Sequence, residues 1–338
     1  MNIISKEKSE PTVFTTKQYG GQTIWTNEEV HQAANSSSSP HFEQGADIMP
    51  RNIFFFNVEE SGSAYSISSI TSNSRYAYFL QNMHKGREYR IPEAVIPKRF
   101  FYKVLVSNIV TPFGLSEAPL ALLPVKVNAD GVWGCLTNKQ INAMSRSVKN
   151  TFKEIEREYK VLQGASRDIY RNALNWRGKL EKQCFNDKKF LVVFGAGGSK
   201  PCATYLKLDA SNRYIVDQTL YWYATNSEDE ALYLVGLLNS DSITKIISPF
   251  QPEGQQGKRH VHTLAPSSIQ PYNADNIDHK QLADITQHLI EDLHGSHIDT
   301  NPNSGTLQHR RSKVIAQIAE LPSYQQYRNL CDIILLGK

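Results

Sequence analysis

The spacing of apolar residues changes several times along the chain, and each change predicts an element. Residues 1–45 show no sustained period. They are polar, broken at Gly20-Gly21 and at Ser36-Ser37-Ser38-Ser39-Pro40, and read as a flexible lead-in or arm. Order is expected from Arg51. The run Ile53-Phe54-Phe55-Phe56-Asn57-Val58 is aromatic and β-branched and predicts a buried strand. Arg90-Ile91-Pro92 and Val95-Ile96 predict short pieces at a sheet edge, because proline cannot donate to a central ladder. Pro97 suits the first position of a short helix through Val106, and Leu120 to Val127 predicts another strand.

The strongest period is helical. Ile141, Met144, Val148, Phe152, Ile155, Tyr159 and Leu162 recur three and four apart behind a cap at Thr137 or Asn138. One long amphipathic helix is therefore expected over about residues 138–163, ended by Gly164. Its opposite face carries Lys139, Arg146, Lys149, Lys153, Arg157 and Lys160. A second helix is expected from Arg167 to Leu180, then strands at Phe190–Phe194, Cys202–Leu206 and Tyr214–Tyr223. Ser227 and Glu230 have capping-box spacing, ahead of a helix that buries Ala231, Leu234, Val235 and Leu238. That helix is expected to run on to Ile247, with a strand at Val261–Leu264 beyond a loop. Asp278 caps a helix with the stripe Leu282, Ile285, Leu289 and Leu293. A Gly/Asn/Pro/Ser linker precedes terminal helices marked by Val314, Ile315, Ile318, Tyr327, Leu330 and Ile334.

Strands and helices mix without βαβ alternation. The expected class is α+β, a mixed, largely antiparallel sheet with packed helices and a helical C-terminus. The expected division is an arm at 1–45, a domain at 46–294, and a linker with C-terminal helices at 295–338. The chain has 338 residues, 40% of them hydrophobic and 21% charged, which suits a globular core. Its net charge of +4 suits a polyanion partner only where the charge is clustered. Cys135, Cys184, Cys202 and Cys331 share no CxxC spacing and read as thiols of a reducing compartment. No apolar run approaches the ~20 residues that span a bilayer. Met1 to Lys8 lacks a signal-peptide core, so a cytoplasmic protein without membrane contact is expected.

Gly195-Ala196-Gly197-Gly198-Ser199-Lys200 follows an apolar strand, as a phosphate-cradling loop would. Such a loop needs a helix directly after the glycines; Pro201 to Leu206 reads as a strand, so a glycine-rich hairpin is expected. His260, His262 and His279 have no Cys, Asp or Glu at a ligand spacing, and no metal is expected. There is no GxSxG, no HExxH and no Pro-Pro dipeptide. Glu158-Tyr159-Lys160 matches only the tail of a nuclease-type motif and lies on the long helix. Basic residues cluster at His84 to Arg90, at Lys98-Arg99 and Lys103 among Phe100, Phe101 and Tyr102, and at His309 to Lys313. The densest chemistry is Ser248 to His262, a Pro/Gly-punctuated loop that ends Lys258-Arg259-His260-Val261-His262. Loops carry function more often than their scaffolds, and Lys, Arg, Gln and His suit phosphates and base edges.

Several segments, taken in order, carry a resemblance: Met49 to Phe56, Glu93 to Pro112-Phe113, Leu120 to Val125, Ala231 to Ser240, Phe250 to Arg259, and Leu264-Ala265-Pro266. Together they resemble the C-terminal target-recognition region of adenine-N6 DNA methyltransferases of restriction–modification systems, of the Taq-like and fused restriction–methylation type. The resemblance covers roughly residues 46–293. In that family the region follows a catalytic domain that binds S-adenosylmethionine and grips the flipped base with a Pro-Pro loop. This chain shows neither that cofactor motif nor Pro-Pro. The resemblance therefore implies a non-catalytic part of a site-specific adenine methyltransferase, with no cofactor of its own. It implies double-stranded DNA as partner, and a methyltransferase or restriction subunit carrying the S-adenosylmethionine.

On that reading Lys258 and Arg259 contact phosphate or guanine, and Gln251, Gln255 and Gln256 contact adenine. Gly254 and Gly257 allow close backbone approach, and His260 and His262 complete the cationic end. Arg51, Lys98, Arg99 and Lys103 form a second set. Two alternatives stay open. One is a split or truncated subunit, active only with a catalytic partner. The other is a protein-interaction scaffold whose basic faces are merely solvated.

Overall fold

The computed structural model describes residues 15–19, 22–26, 39–80, 91–129, 131–163, 173–183, 185, 187–198, 200–209, 213–251, 253–254, 257–258, 261–295 and 305–337. The class is α+β, with largely antiparallel sheets, packed helices and a helical C-terminal region. The strands that matter below are β1 (Glu43–Gln44), β2 (Phe56–Ser61), β3 (Ala64–Ser69), β4 (Ala94–Pro97), β5 (Phe101–Leu105), β6 (Leu120–Leu122), β7 (Phe190–Gly195), β8 (Ala203–Lys207), β9 (Tyr214–Val216) and β10 (Leu220–Thr225). The helices are α1 (Asn138–Asn142), α2 (Arg146–Gln163), α3 (Glu228–Asn239), α4 (Asp241–Ile247), α5 (Val261–Ser267), α6 (Ile277–Gly295), α7 (Leu307–Ala319) and α8 (Tyr324–Leu336).

One four-stranded sheet, ordered β8-β7-β10-β1, stands between two hydrophobic cores. The two-residue period of β7 explains this: Leu191 and Val193 enter one core, Val192 and Phe194 the other. The first core also holds Phe54, Phe55 and Phe56, the sheet β2-β3-β4, the sheet β6-β5-β9, and α2. The second is built from α3, α4, α6, α7 and α8. The terminal helices thus contribute Val314, Ile318, Tyr327, Leu330 and Leu335 to it. Gly236 in α3 lets α6 come close, since a Cβ there would lie 2.5 Å from Thr286 Oγ1.

Several elements differ from expectation. The strand foreseen at Ile53 starts only at Phe56, because Arg51–Ile53 closes a 3-10 turn behind Pro50. No helix runs from Pro97 to Val106; Lys98–Phe100 makes one 3-10 turn and β5 follows. Here Phe101, Tyr102, Val104 and Leu105 are buried, and β5 is paired on both sides by β6 and β9, which overrides the proline signal. The long helix is divided at 143–145, with Thr137 and Gln140 forming a reciprocal capping box on α1. Its stripe holds, since Ile141, Val148, Phe152, Ile155 and Tyr159 are all buried. Of the helix expected at 167–180, residues 164–172 lie outside the described residues, and Trp176–Gly178 is a 3-10 turn.

The strand from Tyr214 to Tyr223 is two strands around a turn at Asp217. Ser227 caps α3 through the Glu230 N–H, but the Glu230 carboxylate accepts from Tyr223 and Thr225 hydroxyls rather than closing a box. Ser240 ends α3 and caps α4, so the expected continuous helix is two. Val261–Ser267 is helix α5, not a strand: Leu264 and Ala265 are buried in the second core, and the Ser267 and Ser268 hydroxyls donate to the Leu264 carbonyl. Asn276, not Asp278, caps α6, its Oδ1 accepting from the Asp278 N–H at 2.9 Å.

β1 joins the central sheet through a close backbone crossing. Gly45 N donates to Leu220 O at 3.0 Å and Ala46 N to Val216 O at 2.7 Å. A Cβ on Gly45 would lie 2.3 Å from Asp217 O and 2.4 Å from Val216 O. Both are backbone atoms and cannot rotate away, so Gly45→Ala is expected to cost about 2–3 kcal/mol by overpacking. Urea denaturation measures it, and a wild-type midpoint would show that the crossing is looser than described.

Candidate nucleic-acid interface

The loop at 248–262 is fastened at both ends. α4 passes into the 3-10 turn Ser248–Phe250, with Phe250 buried in the second core. Gln251 follows at 5% exposure, its Nε2 donating to Gly198 O at 3.5 Å in the glycine-rich hairpin between β7 and β8. At the far end His262, in the first turn of α5, stacks on Tyr221 of β10, ring centroids 4.7 Å apart and 16° from parallel. Between them Glu253–Gly254 and Gly257–Lys258 pair antiparallel, Glu253 opposite Lys258 and Gly254 opposite Gly257. Gln255, Gln256, Arg259 and His260 lie outside the described residues, and of Lys258 only the backbone is described. Gln251 and His262 therefore sit at the two feet of the loop. The Gln251 amide is turned into the protein rather than toward a base edge.

The glycine run is a hairpin, as expected: Phe194 pairs Ala203 and Phe190 pairs Lys207, so a strand and not a helix follows. Asn239 completes that edge with two bonds to Ala203, accepting from its N–H and donating to its carbonyl, both at 2.9 Å.

Arg51 does not sit with the other cations. Its Nη2 lies 2.6 Å from Asp217 Oδ1, and Asp217 is fully buried. The guanidinium also lies over the Phe79 ring, 5.3 Å from its centroid. Nearby, Asp47 has its carboxyl raised above the ordinary range, first by burial and then by Asp217, while Lys179 and Arg51 oppose the rise. The folded state thus holds this proton more tightly than the unfolded chain. The resulting stability is fully present below the unfolded pKa and is lost as pH rises through the raised folded one. Asp47→Asn is expected to raise the melting temperature at pH above the ordinary carboxylate range and to flatten its fall as pH rises through that range. A pH profile identical to wild type would contradict this.

Lys98, Arg99 and Lys103 each lie over an aromatic ring. Lys98 Nζ is 5.1 Å from the Tyr65 centroid, Arg99 4.9 Å from Phe100, and Lys103 5.6 Å from Tyr214. Lys98 also pairs with Glu60 at 3.0 Å. A fourth cation joins them that the sequence did not point to. Arg213 lies 5.0 Å over Tyr102 and donates to Arg99 O at 2.9 Å and Lys98 O at 3.4 Å. Burial pushes the Tyr102 phenol up to about 12, with Arg213 pulling against it. β9 runs parallel to β5 and brings Tyr214 opposite Lys103.

The other basic clusters divide. His84 to Arg90 lie outside the described residues. In the His309–Lys313 cluster two guanidiniums face inward: Arg310 is 4% exposed and donates to Asn108 O, while Arg311 donates to Val110 O and Ser107 O, each at 3.1 Å. They dock α7 on the loop after β5. On α2, Arg157 pairs with Glu154 and Glu158, and Lys160 with Glu156. His279 packs against Tyr233, and its Nδ1 accepts from the Asn273 N–H. Among the described residues no group of His, Cys, Asp or Glu is arranged to hold a metal, and no helix is long and apolar enough to cross a membrane. Cys135, Cys202 and Cys331 are not disulfide-bonded.

No family model matches the chain, and no curated protein matches it significantly. Among solved structures it is similar to the type IIL restriction–modification enzyme MmeI in complex with DNA, at a TM-score of 0.50 and 10% identity. The match covers 93% of this chain and 36% of that one, so the chain spans little more than a third of that enzyme's length. The likeness is one of fold.

Proposed function

We propose that this chain is a DNA target-recognition module of a restriction–modification system. The observation that carries the reading is the loop: a short antiparallel pair that includes Lys258, with its two feet held by Gln251 on the glycine-rich hairpin and by His262 on β10. Fixed feet lower the cost of ordering a loop on a ligand. The fold shared with a restriction–modification enzyme solved with DNA supports the same reading. Lys258 and Arg259 contact phosphate or guanine, Gln255 and Gln256 read adenine, and Gly254 and Gly257 admit the duplex closely. Gln251 and His262 act as anchors, and Arg51 as an internal ion-pair partner.

Titration of the purified chain with duplex DNA at rising salt tests this. Each phosphate contact should contribute about 0.9 to the slope of log K against log salt, so several contacts give a steep fall. Affinity that hardly changes from low to moderate salt would contradict it.

Chemistry is assigned to a partner, because the chain shows no catalytic motif and matches only 36% of the similar enzyme. A methyltransferase subunit with bound S-adenosylmethionine is expected to co-purify with it. Methyl transfer by the isolated chain would refute this division of labour.

A further inference from the structure

We propose that Lys98, Arg99 and Lys103 form a phosphate-binding patch separate from the loop, and that Arg213 is the residue that positions it. The inference rests on the DNA reading above and adds a division of roles: the loop reads sequence, and the patch holds the backbone whatever the sequence.

The patch belongs to the sheet β6-β5-β9 and the turn before it, whereas the loop's feet rest on β7, β8 and β10. Arg99 and Arg213 rest on buried rings, and Lys98 and Lys103 on the half-buried Tyr65 and Tyr214. Phe100 and Tyr102 are 5% and 2% exposed, and Tyr102 is itself fixed by a bond from its hydroxyl to Val125 O at 2.8 Å and by the edge of Trp133. A cation resting on a fixed ring within ~6 Å is partly ordered before any ligand arrives, so less side-chain entropy is lost on binding a phosphate. Glu60 competes for Lys98, but its side chain is 76% exposed, and such a surface pair is weak enough to yield to a phosphate.

Arg213 has a different place. Its two terminal nitrogens donate to the carbonyls of Lys98 and Arg99, the first two residues of the 3-10 turn that displays them. Its own backbone carbonyl accepts from Lys103 N at 3.0 Å. One residue therefore fixes the backbone at all three cations. Lysine cannot reproduce this planar, two-pronged contact.

The test measures binding of the full chain to a labelled duplex of random sequence, across potassium chloride concentrations, for wild type, Arg99→Gln, Arg213→Lys and Arg213→Ala. Removing one phosphate contact in Arg99→Gln should weaken binding several-fold and lower the salt slope by about 1. Arg213→Ala should lower it by about 2, because Lys98 and Arg99 both lose their support. Arg213→Lys should fall between wild type and Arg213→Ala. A purely structural Arg213 would change melting temperature without changing the slope. Should Arg213→Ala fail to fold, exposed Arg99 still carries the test. Wild-type binding with an unchanged slope in Arg99→Gln and Arg213→Ala would overturn the patch while leaving the DNA reading intact. Absence of binding by wild type would overturn both.

Discussion

Arg51→Ala is expected to remove about 3–5 kcal/mol of folding stability, because it leaves the Asp217 carboxylate buried without its counter-charge. Asp217 accepts from Arg51 Nη2 at 2.6 Å, from Thr219 N at 3.0 Å and from Thr219 Oγ1 at 2.6 Å. Thr219 Oγ1 in turn accepts from Ser107 N, and Thr219 O from Ala196 N in the glycine-rich hairpin. The ion pair thus joins the turn at Arg51, the segment after β5 and the hairpin on which Gln251 rests. The double variant Arg51→Met with Asp217→Leu should lose much less than the two single variants added together, since no charge is left unpaired. Urea denaturation of wild type, Arg51→Ala, Arg51→Met, Asp217→Leu and the double variant measures this. An Arg51→Ala loss under about 1 kcal/mol would show that water already reaches the pair.

The second large effect is on binding. Lys258→Gln with Arg259→Gln should weaken duplex binding at least tenfold, since a lost cationic contact to a base or phosphate costs about 1–3 kcal/mol. It should also relax sequence preference, which the patch variants should not. Gln251→Ala and His262→Ala should blur preference indirectly, by loosening the feet of the loop. A double loop variant with wild-type affinity and preference would remove the loop from the interface.

The class of fold was legible because the strongest patterns were long. The apolar run Phe190–Phe194 became β7, and the stripe from Ile141 to Tyr159 is buried as expected although its helix is divided at 143–145. Short segments were not legible. Val261 to Leu264 is too brief for periodicity to separate a helical turn from a strand, and Pro97 suits the start of a helix as well as the end of an edge strand. Charge clusters misled in a different way. A run such as His309 to Lys313 does not tell which guanidiniums face inward, and Arg310 and Arg311 do. Arg51 looked like a DNA contact and is paired with a residue 166 positions away. Arg213 was overlooked because it meets Lys98 and Arg99 only after β9 has paired with β5. The loop stands out in the sequence by its composition, but the settings of the buried Gln251 and half-buried His262 depend on the hairpin and β10 beneath them.

Selection from a pool of randomised duplexes tests the central claim most directly. The purified wild-type chain, or its complex with a methyltransferase partner, is used to recover bound DNA at moderate salt. Enrichment of one short motif by wild type, lost in the Lys258→Gln, Arg259→Gln double variant and kept in Arg99→Gln, is the predicted result. Recovery of duplexes with no common motif would contradict target recognition by this chain.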